Sequence, residues 1–189
     1  MKYFTREQHD RANSLEQPHE VAASVEEFNR CCDLYRMQLD ELKMRLADAW
    51  NFFDKVSLHD GTLLTLRIGD DIDKLFPTYT SQLVNKRKLS VEVEALTHAE
   101  TQLYTLRYER LHRVVFDFPS AHPWYMRSIH GASSPIDDWM ADEITAVDDQ
   151  VLRHEVLFSS GATLLIDFEN VTVRSTPIER RVGVSYAEP

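Results

Sequence analysis

From Val25 to Phe53 the apolar residues fall at alternating steps of three and four: Val25, Phe28, Cys32, Tyr35, Leu39, Leu42, Leu46, Ala49 and Phe53. Those steps bracket the 3.6-residue turn, so all of these side chains share one helix face. Ser24 stands just before the run and Glu27 follows three residues later, the spacing of a capping box. The pattern predicts one helix over 24–53, roughly 45 Å long at 1.5 Å per residue. A stripe of that length has to be covered. The expected cover is the protein's own sheet. The heptad-like period leaves a second copy of the chain open as the alternative, with the helix as a homodimer interface.

Before this helix, residues 5–17 read as a short polar helix ended by Pro18. After it the periodicity switches from helical to alternating. Val56–Leu58 and Thr62–Ile68 flank His59-Asp60-Gly61, and Leu89–Leu96 reads LSVEVEAL. Leu103–Glu109, Leu111–Phe118, Val151–Phe158, Thr163–Phe168 and Val171–Arg174 follow, with Trp139–Val147 a poorer strand pattern. Ser159-Ser160-Gly161 reads as a hairpin turn. Strands that succeed one another without intervening helices pair antiparallel. The expected fold is therefore α+β: a long amphipathic N-terminal helix packed on an antiparallel twisted sheet or partial barrel. The chain reads as a single domain over 1–189, with a helical part over 1–54 and a β-rich part over 55–189. Residues 104–111 and 164–171 echo each other in pattern, as if one hairpin unit were used twice. Two connections, 69–88 and 119–135, are long enough to suggest a functional role.

His59-Asp60 is the pair most easily taken for chemistry. Asp followed by Gly is a strong hairpin signal, and adjacent strand side chains point to opposite faces. A hairpin bend, with Gly61 supplying the turn, is expected here rather than an acid/base pair or a metal site. The remaining histidines show no metal-ligand spacing, and no nucleophile elbow or glycine-rich phosphate loop occurs. No cofactor or catalytic residue is nominated, and a binding role is expected ahead of an enzymatic one. Cys31 and Cys32 are adjacent, a spacing that fits two reduced thiols on a helix.

The net charge of −10 repels phosphate backbones and argues against nucleic acid as a partner. No apolar run reaches the length of a membrane span, and MKYFTREQHD carries no apolar signal core, so the cytoplasm is the expected compartment. An acidic chain suits a basic protein partner. The residues expected to meet it are Trp124, Tyr125 and Arg127 in the 119–135 loop, with the acidic Asp137, Asp138, Asp142, Asp148 and Asp149 downstream. Aromatic and arginine side chains dominate binding hot spots, and carboxylates steer a cationic surface.

Four stretches together resemble a family of uncharacterised bacterial proteins, a domain of unknown function. They are Met1-Lys-Tyr-Phe-Thr5, Leu58-His-Asp60, Asp137-Asp-Trp-Met-Ala-Asp-Glu143 and His154-Glu-Val-Leu-Phe-Ser-Ser-Gly161. The resemblance implies a cytoplasmic bacterial protein and carries over no site residue. In size and charge the chain is also similar to immunity proteins of bacterial toxin systems, which implies an interaction protein. Two other functions stay open: an enzyme or small-ligand binder with its site in a sheet concavity, and a homodimeric structural protein.

Overall fold

The long apolar stripe does not form one helix. The computed structural model describes residues 1–8, 18–70, 89–117 and 137–178, and within them the stripe is divided among α1 (Pro18–Glu41), α2 (Lys43–Leu46), a 3-10 turn (Ala47–Ala49) and α3 (Trp50–Lys55). Leu42 sits at φ −88, ψ −3, and Ala47 adopts φ 48, which ends α2. Turning at Leu42 and Ala47 lets Leu39, Leu42, Leu46, Ala49, Phe52 and Phe53 all stay buried. Pro18 opens α1, since its fixed φ suits a first turn; of the polar helix expected over 5–17, residues 6–8 are helical and 9–17 lie outside the described residues. Ser24 is consequently interior to the helix and caps nothing at its start.

The strands are β1 (Gly61–Asp70), β2 (Leu89–Leu96), β3 (Gln102–Asp117), β4 (Asp137–Ala146), β5 (Leu152–Phe158) and β6 (Thr163–Pro177). They close an antiparallel barrel in the order β1-β2-β3-β6-β5-β4. Two three-stranded meanders thus meet along β3–β6 and again where β1 touches β4. The echo between 104–111 and 164–171 falls on β3 and β6, the matching strands of the two meanders. Two segments expected as separate strands are fused in β3, where Arg110 takes φ 53 and a bulge shifts the register between Leu111 and Arg113. Gly161 takes φ +87 in the β5–β6 turn, as a tight hairpin needs.

Val91, Val93, Leu106, Ile144, Ile166 and Phe168 fill the barrel, and the buried helical side chains join them in one core. Phe52 and Phe53 plug one end, with the Phe52 ring 5.0 Å from that of Tyr104 and tilted 53° to it. The fold is therefore α+β with an antiparallel barrel. Among the described residues, no helix is long and apolar enough to cross a membrane.

His59-Asp60-Gly61 is a turn, but not of a hairpin. Residues 56–58 leave α3 extended without joining the sheet, so the turn leads from helix into β1. Asp60 carries the positive φ (59), and Gly61 N–H closes the turn on Leu58 O at 2.7 Å. Gly61 is needed for space: a Cβ there would lie 2.5 Å from Leu96 O and 2.7 Å from Leu58 O. His59 Nδ1 and Asp60 Oδ2 come within 3.2 Å, both exposed, because a turn, unlike a strand, lets neighbours converge.

Candidate functional site

Pairing between β1 and β4 covers Gly61↔Trp139, Thr62↔Asp138 and Leu63↔Asp137. Beyond Trp139, β4 runs on past the 59–60 turn, and its free edge is covered by α1. Tyr35 Oη accepts from Ile144 N–H at 3.0 Å, and Gln38 Nε2 donates to Ile144 O at 3.0 Å. An uncovered edge would leave backbone groups unpaired, and these two side chains supply the partners. The N-terminal strap, residues 1–8, lies across the same strand. Glu143 is wholly buried and accepts N–H bonds from Lys2 and from Tyr3, the latter at 2.8 Å.

A bulge decides which β4 side chains face inward. Trp139 pairs with Phe158 but Ala141 with Leu157, so Met140 is the extra residue. Strict alternation from Trp139 would send Ala141 and Glu143 inward. The bulge instead turns Asp142, opposite Val156, and Ile144, opposite His154, to the inner face. Asp142 Oδ1 then accepts the Trp139 indole N–H at 2.9 Å, and Oδ2 lies 3.2 Å from His154 Nε2. On the other side of the ring, His154 Nδ1 meets Tyr108 Oη at 2.6 Å. His154 is 1% exposed, with Phe53 edge-on at 5.4 Å and Trp139 at 5.9 Å.

The direction of these bonds follows from Tyr108. Burial and then the charge of Asp142 push its phenol well above the ordinary tyrosine range, so the hydroxyl keeps its proton. Nδ1 of His154 is its hydrogen-bond partner, and a buried hydroxyl donates where it can. Tyr108 O–H therefore donates to Nδ1, the imidazole is neutral, and Nε2–H donates to Asp142. Tyr35 is pushed up by the same two causes in the same order. Asp142 is thus a carboxylate held by two neutral donors.

Its side chain remains 24% exposed, and the exposure opens into a cleft of about 380 Å³. The barrel contributes Met140, Ala141, Asp142 and Leu157 as one wall, and α1 contributes Val25, Phe28, Cys31 and Cys32 as the other. Phe4, Thr5 and Gln8 of the strap form one border, and Ser57 and His59 another. The first turns of α1 stand off the barrel here. Val25 and Phe28, both on the apolar stripe, are 52% and 57% exposed. Cys31 and Cys32 are free thiols, and burial raises the Cys32 pKa.

The expected partner-binding carboxylates separate into different environments. Asp137 is buried and accepts from Asp138 N–H, Ser159 Oγ, Ser160 N–H and Ser160 Oγ, which staples the β5–β6 turn to β4. Asp138 is half-buried, and its carbonyl accepts Ser159 N–H at 2.9 Å. Asp148 and Asp149 are exposed on the β4–β5 turn. The Asp148 carboxylate accepts the N–H groups of Gln150 and Val151 at 2.8 Å each, which lowers its pKa. Asp142 alone of the five reaches the cleft. Trp124, Tyr125 and Arg127 lie outside the described residues.

Sequence reasoning missed Trp139 and His154 as partners of Asp142, and Tyr108 as the partner of His154. One signal was present: in VLRHEVLF, His154 is in phase with Leu152, Val156 and Phe158, so it had to be buried and hydrogen-bonded. Among the described residues, no three His, Cys, Asp or Glu side chains gather as a metal set. The chain matches no protein-family model and no curated protein.

Proposed function

We propose that this protein is a binding protein whose site is the cleft between α1, the strap and β4, and that it takes a small ligand with an apolar body. The observation that carries this reading is the apolar face of α1 held off the barrel at Val25 and Phe28, over a cleft of about 380 Å³. Ligand sites are mostly apolar concavities with a few placed polar groups, and Asp142 is such a group. In this reading the ligand completes the packing of the amphipathic helix on the barrel. A second reading, a basic protein partner, is supported by the net charge of −10 and the exposed Asp148 and Asp149. We keep the cytoplasm as compartment and the uncharacterised bacterial family as the grouping. The four stretches on which the grouping rests meet in the fold: Tyr3 N–H on Glu143, Asp60 N–H on Trp139 O, and Ser159 N–H on Asp138 O.

Titration with n-octanol, followed by backbone amide shifts in NMR, tests the cleft. Shifts should concentrate at Phe28, Cys31 and Ala141, and Ala141→Phe should abolish them by filling the space. No saturable change at those amides would remove the reading.

A further inference from the structure

We infer that the ligand is a cation: a protonated amine on an apolar body, with Asp142 as its counter-ion. The inference rests on the cleft being the binding site and adds the charge of what enters it. Asp142 is the pivot. Its two oxygens are each engaged once, by Trp139 Nε1 and by His154 Nε2, and each carboxylate oxygen can accept a further bond. Both donors are neutral, because Tyr108 fills the Nδ1 position of the ring with its own proton. The negative charge is therefore positioned and not neutralised. Among the described residues, no Lys or Arg pairs with Asp142, and none lines the cleft.

A carboxylate partly withdrawn from water, without a cation, is destabilising where it stands. A protein that holds it there with an indole, an imidazole and a buried phenol has fixed its position in advance. Anions are disfavoured by the same charge. A neutral alcohol gains the walls but not the ion pair. A protonated amine on an alkyl or aryl body gains both, with Phe4 and Phe28 in the lining to cover the body.

Four probes of the purified full chain test this by calorimetry: n-octylamine, n-octanol, octanoate and spermidine. At neutral pH octylamine should bind one site about tenfold or more tighter than octanol, with octanoate weaker than both. Spermidine, charged but without an apolar body, should bind more weakly than octylamine. Asp142→Asn should bring octylamine and octanol to within about twofold of each other, while octanol binding itself persists. Phe28→Ala, at an exposed position that folding does not depend on, should weaken octylamine and octanol alike. Octanol or octanoate binding as tightly as octylamine overturns the inference and leaves the cleft standing. So does spermidine matching octylamine. If none of the four binds, the cleft reading falls and the inference with it. The four wild-type affinities separate these outcomes even if Asp142→Asn does not fold.

Discussion

One apolar stripe, continuous in sequence, meets two different fates in the folded chain. Its second half, from Leu39 through Leu46 to Phe53, is sealed into the barrel end, with Leu39 3% exposed. Its first half, Val25 and Phe28, faces the barrel across a cleft and remains more than half exposed. The residue types and their spacing are alike, so composition cannot account for the difference. What differs is the surface opposite. Leu39 to Phe53 meet a barrel end that their side chains plug, whereas Val25 and Phe28 face the stretch of β4 that has just parted from β1. An amphipathic period reports that a face will be covered, and it is silent about what covers it.

Charge substitutions separate the halves most sharply. Leu39→Asp should cost about 4 kcal/mol or more, because a carboxylate enters the core without a partner. Phe28→Asp should stay within about 0.5 kcal/mol of wild type, as surface changes do. Urea midpoints of both variants measure the contrast. Equal losses would show the first half to be as sealed as the second. If Leu39→Asp stays folded and turns a dimer into a monomer, the lower seam is an interface between copies.

A smaller effect probes the two tyrosines that feel Asp142 from opposite sides, Tyr35 on the helix and Tyr108 behind the cleft. Both phenols have raised pKa values in the folded chain, and both shifts come first from burial. The unfolded chain releases these protons near the ordinary tyrosine value of about 10, whereas the folded chain retains them. Their stabilisation is thus complete below pH 10 or so and is lost as pH rises beyond it. In an alkaline titration followed by phenolate absorbance, these two should ionise only as the protein unfolds. Tyr108→Phe should flatten the alkaline loss and lower stability at neutral pH by about 1–3 kcal/mol, since Nδ1 of His154 loses its donor. A Tyr108 that titrates normally in the native protein would undo the neutral-imidazole assignment.

Much of the barrel was legible because half-buried strands write their alternation into the sequence. LSVEVEAL is β2 residue for residue, and Gly161 marks the β5–β6 turn through its φ. The site was much less legible. Three events that made it leave no periodic trace: the chain turning at Leu42 and Ala47, the bulge at Met140, and the parting of β4 from β1 after Trp139. Each is fixed by register between distant strands or by the curvature of what the chain packs on. Asp142 was singled out, but within a run of carboxylates that looks like one solvated face. Its separation from Asp137 depends on Ser159, Ser160 and His154, which are distant in sequence. Gly61 was expected as the turn residue of a hairpin, whereas the positive φ falls on Asp60 and Gly61 sits in close approach to two carbonyls.

Where β1 meets β4 the cylinder is held, among the described residues, by the three register pairs from Gly61↔Trp139 to Leu63↔Asp137, while β3 and β6 are laced along nearly their whole length. A closed sheet opens at its weakest join, so breathing motions should begin there and spare the β3–β6 join. Joining β1 to β4 also spans a long stretch of chain, which costs loop entropy and places that step late in folding. Native-state hydrogen exchange should register this as a gradient around the cylinder. Amides of Thr62, Leu63 and Trp139 should exchange first, and those of Leu106 and Ile166 last. Uniform protection would mean that the barrel opens in one cooperative step, with the short join as firm as the long one.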